Sequence, residues 1–273
     1  MMGLLRDKVG LVFGVASTRS YAWHITRALL AHGARCGFGA LPGDRSIERT
    51  RAALAELGLS DPWIRACDAA RDDDLDAVFA AHTEDHDRLD FVIHSIAFAG
   101  REWLVPGRFV ATPRREYLRA IDVSAYSLVA MAERAHRRMA GRGGSLLAMT
   151  YLGSERVVPG YNVMGVAKAA LECSTRYLAA ELGRDGIRVN TISAGTLRTP
   201  AAAGIANFRS MLEHDAATSP LGRLVRGDDV GAAAAFLVSD LAAGITGENV
   251  HVDCGVGAMA MAGPRTWARD PAE

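Results

Sequence analysis

The sequence predicts an α/β fold in which a doubly wound parallel sheet of seven strands carries helices on both faces. Short apolar runs alternate seven times with longer segments of helical spacing, and this alternation is typical of a parallel sheet with crossover helices. Hydrophobic residues make up 49% of the 273 positions, which is enough for one large core. We therefore expect residues 1–262 to form a single domain and residues 263–273, which lack apolar periodicity, to form a loose tail.

The strands are predicted from apolar runs that are too short for a helix and suit a sheet buried on both faces. In chain order they cover residues 9–15, 34–40, 63–67, 89–95, 146–149, 189–193 and 250–252. Small, polar or turn-forming residues follow most of these runs. Such residues end a strand and begin the crossover to the next element.

The helices are predicted where apolar residues recur three and four positions apart. They cover residues 21–32, 46–57, 72–83, 114–138, 162–182, 208–212 and 228–241. Gly33 ends the first helix, and an acidic turn at the start of the third suits the helix dipole. Residues 101–113 have no period and are predicted to form a surface loop. The Ala-rich segment 200–219 is a candidate lid.

The charge balance argues against a nucleic-acid or membrane partner. The chain has 31 basic and 31 acidic residues, so it has no general attraction to anionic polymers or lipids. It has no apolar run long enough to span a membrane and no signal-like N-terminus. Its four cysteines are widely spaced, which favours reduced thiols over a disulfide frame or a zinc site. We expect a cytoplasmic protein with no metal.

A loop of small residues joins the first predicted strand to the first helix. A strand, such a loop and a helix N-terminus form an anion site, because backbone N–H groups and the helix dipole point at the ligand. Gly14 lets a phosphate approach the backbone, and Ser20 can cap the helix. The loop has a single glycine and not the GxGxxG pattern, so an ordinary strand-to-helix loop is the alternative.

The end of the second strand is where a dinucleotide fold selects its cofactor. An acidic residue there binds the ribose 2′-hydroxyl of NAD, and an arginine favours the phosphate of NADP. This sequence has neither, because Ala40 and Leu41 stand at the strand end and Arg45 and Arg49 follow only later. Both cofactors therefore remain open at this position.

Several candidate groups follow the ends of strands. Right-handed crossovers place the C-terminal ends of parallel strands at one edge of the sheet, where ligands bind. The groups are the loop after the first strand, Asp68, Ser95 to Ala97, Tyr151 and the loop at Gly195. Their shared position predicts one binding site. His94, at the end of a buried strand, is interpreted as a core histidine.

Tyr161 and Lys168 stand seven residues apart after the fifth strand. This spacing is two helical turns, so both side chains are expected on one helix face. A fixed ammonium beside a phenol lowers the phenol pKa, and such a tyrosine can donate to a carbonyl oxygen as negative charge develops there. The alternative is a chance pair with a half-buried tyrosine and a solvated lysine.

Sequence motifs along nearly the whole chain point to one known family. They are Gly14-Val-Ala-Ser-x-x-Ser20-Tyr-Ala22, His94-Ser-Ile, Tyr151-Leu-Gly-Ser-Glu-Arg, Tyr161-Asn-Val-Met-Gly-x-Ala-Lys168, Ile192-Ser-Ala-Gly, Arg198-Thr, Gly204-Ile and Phe208-Arg. With them, the chain resembles the divergent short-chain dehydrogenase/reductases that act as enoyl-acyl carrier protein reductases in bacterial fatty acid synthesis. The Tyr-x6-Lys spacing separates this family from ordinary short-chain dehydrogenases, which carry Tyr-x3-Lys. Tyr151 takes the place of the serine of those enzymes.

The resemblance implies a Rossmann-like fold, a homotetramer, and reduction of the C2=C3 double bond of a trans-2-enoyl thioester on acyl carrier protein or coenzyme A. It implies NADH as the favoured cofactor, with NADPH possible. Tyr151, Tyr161 and Lys168 would be catalytic, and Ala99 and the two tyrosines would contact substrate. The implied cofactor site consists of Gly14, Ala16, Ser20, Tyr21, Leu41, Asp68, Ala69, Ser95, Ile96, Ala97, Lys168, Leu197, Thr199 and Ala201.

Some positions depart from the family pattern. Leu41 follows Ala40 where a polar pair is usual, Thr196 replaces a proline, Pro200 replaces an apolar residue and Cys254 replaces a glycine. These departures leave open a related reductase that acts on another enoyl or carbonyl substrate in a secondary pathway. A non-catalytic nucleotide sensor is a second alternative. A sensor would be expected to lose the Tyr-x6-Lys pair, which is present.

Overall fold

The computed structural model describes residues 3–198 and 208–261, with seven parallel strands in one sheet. The strands are β1 Val9–Phe13, β2 Arg35–Ala40, β3 Ile64–Ala66, β4 Phe91–His94, β5 Gly144–Thr150, β6 Ile187–Ala194 and β7 Asn249–Val252. Their order is β3-β2-β1-β4-β5-β6-β7, and every neighbouring pair is parallel. The order reverses between β1 and β4, as in a Rossmann-like sheet. The predicted fold class is confirmed.

The α-helices of the described residues cover both faces of the sheet. They are α1 Tyr21–Ala31, α2 Asp44–Ala55, α3 Asp72–Asp85, α4 Arg114–Ile121, α5 Ser127–Met139, α6 Val163–Leu182, α7 Phe208–Thr218 and α8 Gly227–Val238. Buried residues of α1, α2 and α8 form a core on one face, and those of α3, α5 and α6 form a core on the other. Burial from both sides explains why β1 and β4 are uninterrupted apolar runs that end in a buried residue.

The long helix predicted at 114–138 is interrupted. A π-helical turn, Asp122–Tyr126, separates α4 from α5, and π turns are a common insertion at functional sites. The turn brings the buried Ser124 hydroxyl to the backbone of Phe98, whose N–H donates to it at 2.9 Å and whose carbonyl oxygen lies 3.3 Å away. The segment after β4 is thereby fixed at the edge of the sheet.

Some predicted boundaries differ from the structure by a few residues. β1 and β4 end before Val15 and Ser95, which already belong to loops at the C-terminal edge of the sheet. The segment 101–113 is mainly irregular, with a short helical turn at Arg101–Trp103. The predicted tail, 263–273, lies outside the described residues, so that assignment and the single-domain boundary stay predictions. None of the helices in the described ranges is long and apolar enough to cross a membrane.

Candidate active site

The loop after β1 and the start of α1 form a backbone cradle. Gly14 has φ +103°, and a Cβ there would lie 2.1 Å from the carbonyl oxygen of Ser95, so only glycine fits where the two loops meet. Ser20 is the N-cap of α1, and its Oγ accepts from Trp23 N–H at 3.3 Å. The N–H groups of Tyr21 and Ala22 have no backbone acceptor among the described residues. These donors and the helix dipole suit an anionic pyrophosphate.

The adenosine side of the predicted cofactor site lies beyond β2 and β3. Leu41 follows β2 and is 62% exposed, while Arg45 and Arg49 are exposed on α2. Asp68 N–H donates to Asp74 at 2.8 Å, and the Asp68 carboxylate accepts from the N–H of residue 70 at 3.0 Å. These hydrogen bonds fix the turn that contains Asp68 and residue 69. The exposed Leu41 side chain forms an apolar surface at the end of β2.

Tyr161 lies before α6 and not on it. The helix begins at Val163, and Asn162 precedes it with φ 47° and ψ −123°, a non-helical conformation that breaks the helical path. The expectation that Tyr161 and Lys168 share a helix face is therefore wrong. The Asn162 side chain donates to the carbonyl oxygens of Trp103 at 2.7 Å and Val105 at 2.8 Å, and so fixes the segment beside Tyr161.

Lys168 is buried on α6 and points to the C-terminal edge of the sheet. Its Nζ donates to the carbonyl oxygen of Met149, in β5, at 2.7 Å and to that of Ile96, after β4, at 3.4 Å. Burial lowers the Lys168 pKa to about 8, and the nearby Glu172 carboxylate opposes that shift. The lysine therefore connects three elements at the predicted site.

Tyr161 has a raised pKa, whereas the sequence predicts that the Lys168 ammonium lowers it. Burial is the main cause, and Tyr151 and Glu172 add to it. Lys168 directs its ammonium at backbone carbonyls, so the predicted lowering of the phenol pKa is wrong for the protein alone. Tyr161 is consequently a neutral phenol near pH 7, which is a hydrogen-bond donor.

Tyr151 packs against Tyr161 at the end of β5. Their ring centroids are 5.0 Å apart and the ring planes make an angle of 67°, an edge-to-face contact. The Tyr151 hydroxyl lies 3.3 Å from Thr196 Oγ1, and burial raises the Tyr151 pKa to about 12. The two tyrosine rings are therefore in contact, and Lys168 binds the carbonyl oxygen of Met149, two residues before Tyr151.

The loop after β6 contacts the start of α1 and α7. The Tyr21 hydroxyl donates to the carbonyl oxygen of Gly195, and burial raises the Tyr21 pKa. Thr196 N–H donates to Asp215, on α7, at 3.1 Å. Leu197 is half-buried, Arg198 is the last described residue of this loop, and the predicted residues Thr199 and Ala201 lie outside the described residues.

Apolar side chains surround the Tyr161 ring and form a surface suited to an acyl chain. The buried members are Leu104, Met164, Ala167 and Met211, and Ala99, Ile121, Tyr151, Val158 and Phe208 pack against them. They come from the segments after β4 and β5 and from α4, α6 and α7. The predicted substrate residue Ala99 thus lies beside both tyrosines.

Glu172 and Asp215 were missed by sequence reasoning. Glu172 is 8% exposed and accepts hydrogen bonds from the hydroxyls of Thr150 and Ser154, both at 2.5 Å. Its position one helical turn after Lys168 is the signal that could have identified it. Nothing in the local pattern marks Asp215, because its partners lie on other elements.

His94 is a core residue, as predicted. It is fully buried, and its Nε2 lies 2.7 Å from the Ser127 hydroxyl. Its Nδ1 has no partner among the described residues. The His94 pKa is lowered to about 3, mainly by burial and further by the charge of Lys168. The imidazole is therefore neutral near pH 7.

One cavity lies away from the tyrosines. It has a volume of about 560 Å³ beside β7, with Arg223, Asp229, His251 and Asp253 among its lining residues. A narrower cleft contains Tyr151, Gly195, Asp215 and Asp253. The second cleft, and not the larger cavity, adjoins the predicted catalytic residues.

A family model described as enoyl-(acyl carrier protein) reductase matches residues 14–257. Enoyl-acyl-carrier-protein reductase (NADH) 1 of Rhizobium meliloti is 46% identical over 259 residues, covering 95% of this chain and 93% of that protein. Enoyl-acyl-carrier-protein reductase (NADH) FabI of Escherichia coli is 46% identical over 260 residues, covering 95% and 98% of the two chains.

Solved structures with this fold include cofactor complexes. The reductase from Anaplasma phagocytophilum in complex with NAD has a TM-score of 0.91 at 41% identity, covering 97% of this chain and 99% of that chain. The Bacillus cereus enzyme with NADP+ and indole naphthyridinone has a TM-score of 0.90 at 45% identity, covering 95% of this chain and 100% of that chain.

Proposed function

This chain belongs to the enoyl-(acyl carrier protein) reductase family, and from that membership we propose that it carries out NADH-dependent reduction of the C2=C3 double bond of trans-2-enoyl thioesters in fatty acid biosynthesis. It is an oxidoreductase of the short-chain dehydrogenase/reductase type, and NADH is its cofactor. The observation that supports the assignment is the contact between the Tyr151 and Tyr161 rings at the end of β5, with Lys168 bound to the backbone of the same strand end.

The residues of the cradle fit the cofactor. The free N–H groups at the start of α1 bind the pyrophosphate, and Gly14 keeps the loop against β4. Asp68 and residue 69 flank the adenine, while Ser95, Ile96 and Ala97 line the adenosine side. An uncharged strand end at Leu41 offers no partner for a 2′-phosphate, which favours NADH. When bound, NADH supplies the hydride that adds to C3 of the substrate.

Tyr161 acts as a neutral hydrogen-bond donor to the thioester carbonyl oxygen. Its raised pKa keeps the proton on the phenol, so the hydroxyl is ready to stabilise negative charge that develops on that oxygen during reduction. Tyr151 holds the Tyr161 ring by edge-to-face packing. The Lys168 ammonium, fixed by two carbonyl oxygens, adds positive potential at the site and binds the ribose hydroxyls of the cofactor.

The substrate is an enoyl chain carried by acyl carrier protein. The apolar cluster around Tyr161, with Leu104, Met164 and Met211 buried within it, accommodates the acyl chain. We further propose a cytoplasmic homotetramer. Family membership supports the tetramer, and the free thiols of the cysteines support a reducing compartment.

The test compares wild type with Tyr161→Phe on crotonyl-coenzyme A, followed by the absorbance of the reduced nicotinamide. Wild type oxidises NADH faster than NADPH. Loss of one oxyanion donor lowers kcat by about a hundredfold, while NADH binding, measured by fluorescence, is retained. No oxidation of either cofactor by wild type would refute the proposed function, and near-normal turnover by the variant would remove Tyr161 from its role.

Two other functions remain as outcomes of this assay. Turnover of a carbonyl substrate in place of an enoyl thioester would identify a related reductase of a secondary pathway. Nucleotide binding without turnover of any substrate would identify a nucleotide sensor. The presence of both Tyr161 and Lys168 at the site favours the enoyl reductase over the sensor.

A further inference from the structure

The loop after β6 is held by side chains from three different elements. Tyr21, on α1, donates to the Gly195 carbonyl oxygen. Asp215, on α7, accepts from the Thr196 N–H at 3.1 Å. The Thr196 hydroxyl in turn lies 3.3 Å from the hydroxyl of Tyr151. A continuous polar path therefore runs from α7 through the loop to a tyrosine of the active site.

Asp215 occupies a position where a carboxylate is costly. It is only 6% exposed, and a buried carboxylate requires hydrogen bonds to offset the loss of hydration. The bond from Thr196 is available because threonine, unlike proline, has a backbone N–H. The bond is charge-assisted, which makes it stronger and more directional than a bond between neutral groups.

One face of α7 packs in the cluster of Tyr161 and is linked to Tyr151 through Thr196. Met211 packs in the apolar cluster with Tyr161, and Asp215 follows it by four residues, which places both side chains on one helix face. One contact is apolar and reaches Tyr161, while the other is polar and reaches Tyr151 through Thr196. A shift of α7 would therefore change the position of both tyrosine rings.

We propose that Asp215 is a positioning residue for Tyr151, which it orients by holding the backbone of Thr196 so that the threonine hydroxyl stays within hydrogen-bond distance of the tyrosine hydroxyl. The docking of α7 against the site is thereby coupled to the orientation of Tyr151. This inference uses the proposed function only for its kinetic readout. Its geometric part is tested on the cofactor-free protein.

The geometric test measures amide hydrogen exchange and the ring resonances of labelled tyrosine. In Asp215→Ala, exchange of the Thr196 N–H rises by about tenfold or more because its acceptor is gone. In Thr196→Val, which keeps the N–H and loses the hydroxyl, residue 196 stays protected. The Tyr151 resonance, assigned by its loss in Tyr151→Phe, shifts in both variants.

The kinetic test uses crotonyl-coenzyme A. Asp215→Ala and Thr196→Val each lower kcat by about fivefold, the effect of one hydrogen bond of ordinary strength, with little change in the KM for NADH. The double variant is no worse than either single one, because both changes interrupt the same path. In a Tyr151→Phe background, Asp215→Ala has no further effect.

The controls separate positioning from a general structural role. Glu213→Ala removes an exposed carboxylate from the same helix, where it pairs with Arg209, and leaves exchange, resonances and kcat at wild-type values. Asp215→Asn keeps an acceptor of the same shape and restores most of the protection and of kcat, so a test remains if Asp215→Ala does not fold.

The outcomes that overturn the proposal are specific. They are an unchanged Thr196 exchange rate in Asp215→Ala, an unshifted Tyr151 resonance, or an equal loss of kcat with and without Tyr151. If wild type turned over no enoyl thioester, the proposed function would fail, while the exchange and resonance measurements would still decide whether Asp215 orients Tyr151.

Discussion

At the scale of single residues, burial determines the protonation states of the active site. Tyr161 and Tyr151 have raised pKa values because their rings are enclosed, and Lys168 has a lowered one for the same reason. Near pH 7 the two tyrosines are therefore neutral hydrogen-bond donors, and Lys168 is a cation whose pKa, about 8, lies close to that pH. The proposed role of Lys168 requires the lysine to remain protonated.

Lys168 predicts a pH limit for the enzyme. The kcat/KM for NADH reports groups of the free enzyme, so it should fall as pH rises through about 8, where the buried Lys168 ammonium loses its proton. Below that pH the charge is present and the value is constant. Initial rates at low NADH, measured from pH 6.5 to 9.5 or so, test this expectation.

Lys168→Arg is the matched control for that profile. Arginine stays charged throughout the accessible pH range, so the variant should lose the fall above pH about 8 even if its absolute rate is lower. An identical fall in this variant would mean that another group is responsible for the pH dependence.

At the scale of elements, the segment at Gly160 to Asn162 places Tyr161 where a continuous helix could not. Gly160 has φ +86°, and Asn162 has φ 47° with ψ −123°; positive φ is adopted most readily by glycine. The Asn162 amide then joins this turn to the segment at Trp103 and Val105. One side chain thus connects the segment of the proposed catalytic tyrosine to the segment at Trp103 and Val105, beside the proposed acyl pocket.

Asn162→Gly separates the backbone conformation of Asn162 from its side-chain hydrogen bonds. Glycine keeps the positive-φ backbone and removes both side-chain hydrogen bonds. The KM for crotonyl-coenzyme A should therefore rise about fivefold, and the free energy of unfolding should fall by about 1 kcal/mol. Asn162→Ala adds backbone strain of about 1 kcal/mol and should be less stable than Asn162→Gly. Kinetics and thermal unfolding of both variants test this. An unchanged KM in Asn162→Gly would show that the hydrogen bonds of Asn162 to Trp103 and Val105 do not shape the pocket.

At the scale of the whole molecule, the topology brings distant segments to one edge. The reversal of strand order between β1 and β4 opens a crevice there, and residues from the ends of β1, β4, β5 and β6 converge on it. The loops after β1 and β4 approach so closely at Gly14 that no side chain fits against the Ser95 carbonyl oxygen. The cofactor cradle depends on this contact.

Gly14→Ala should disrupt that convergence. Its Cβ would meet the Ser95 carbonyl oxygen at 2.1 Å, so we expect a stability loss of about 2–4 kcal/mol and a large loss of NADH affinity. Gly43→Ala is the control, because Gly43 has a nearly equal φ of +106° and no atom within 4 Å of the added Cβ.

Gly43→Ala should cost only the backbone strain, about 1–3 kcal/mol, and bind NADH normally. Chemical denaturation and fluorescence titration of the cofactor measure both effects. Equal losses in the two variants would show that backbone conformation, and not the close approach to β4, explains the need for Gly14.

The sequence by itself determined the fold class, the order of elements and the edge at which the site lies. Apolar runs and helical spacing encode these features locally, and right-handed parallel topology then places every strand end together. The motifs with Tyr151, Tyr161 and Lys168 identified the family. Only the tertiary structure decided that Tyr161 precedes its helix, that burial raises its pKa, and that Asp215 reaches Thr196. Burial and hydrogen bonds between distant elements depend on how helices cross the sheet, which no local pattern encodes.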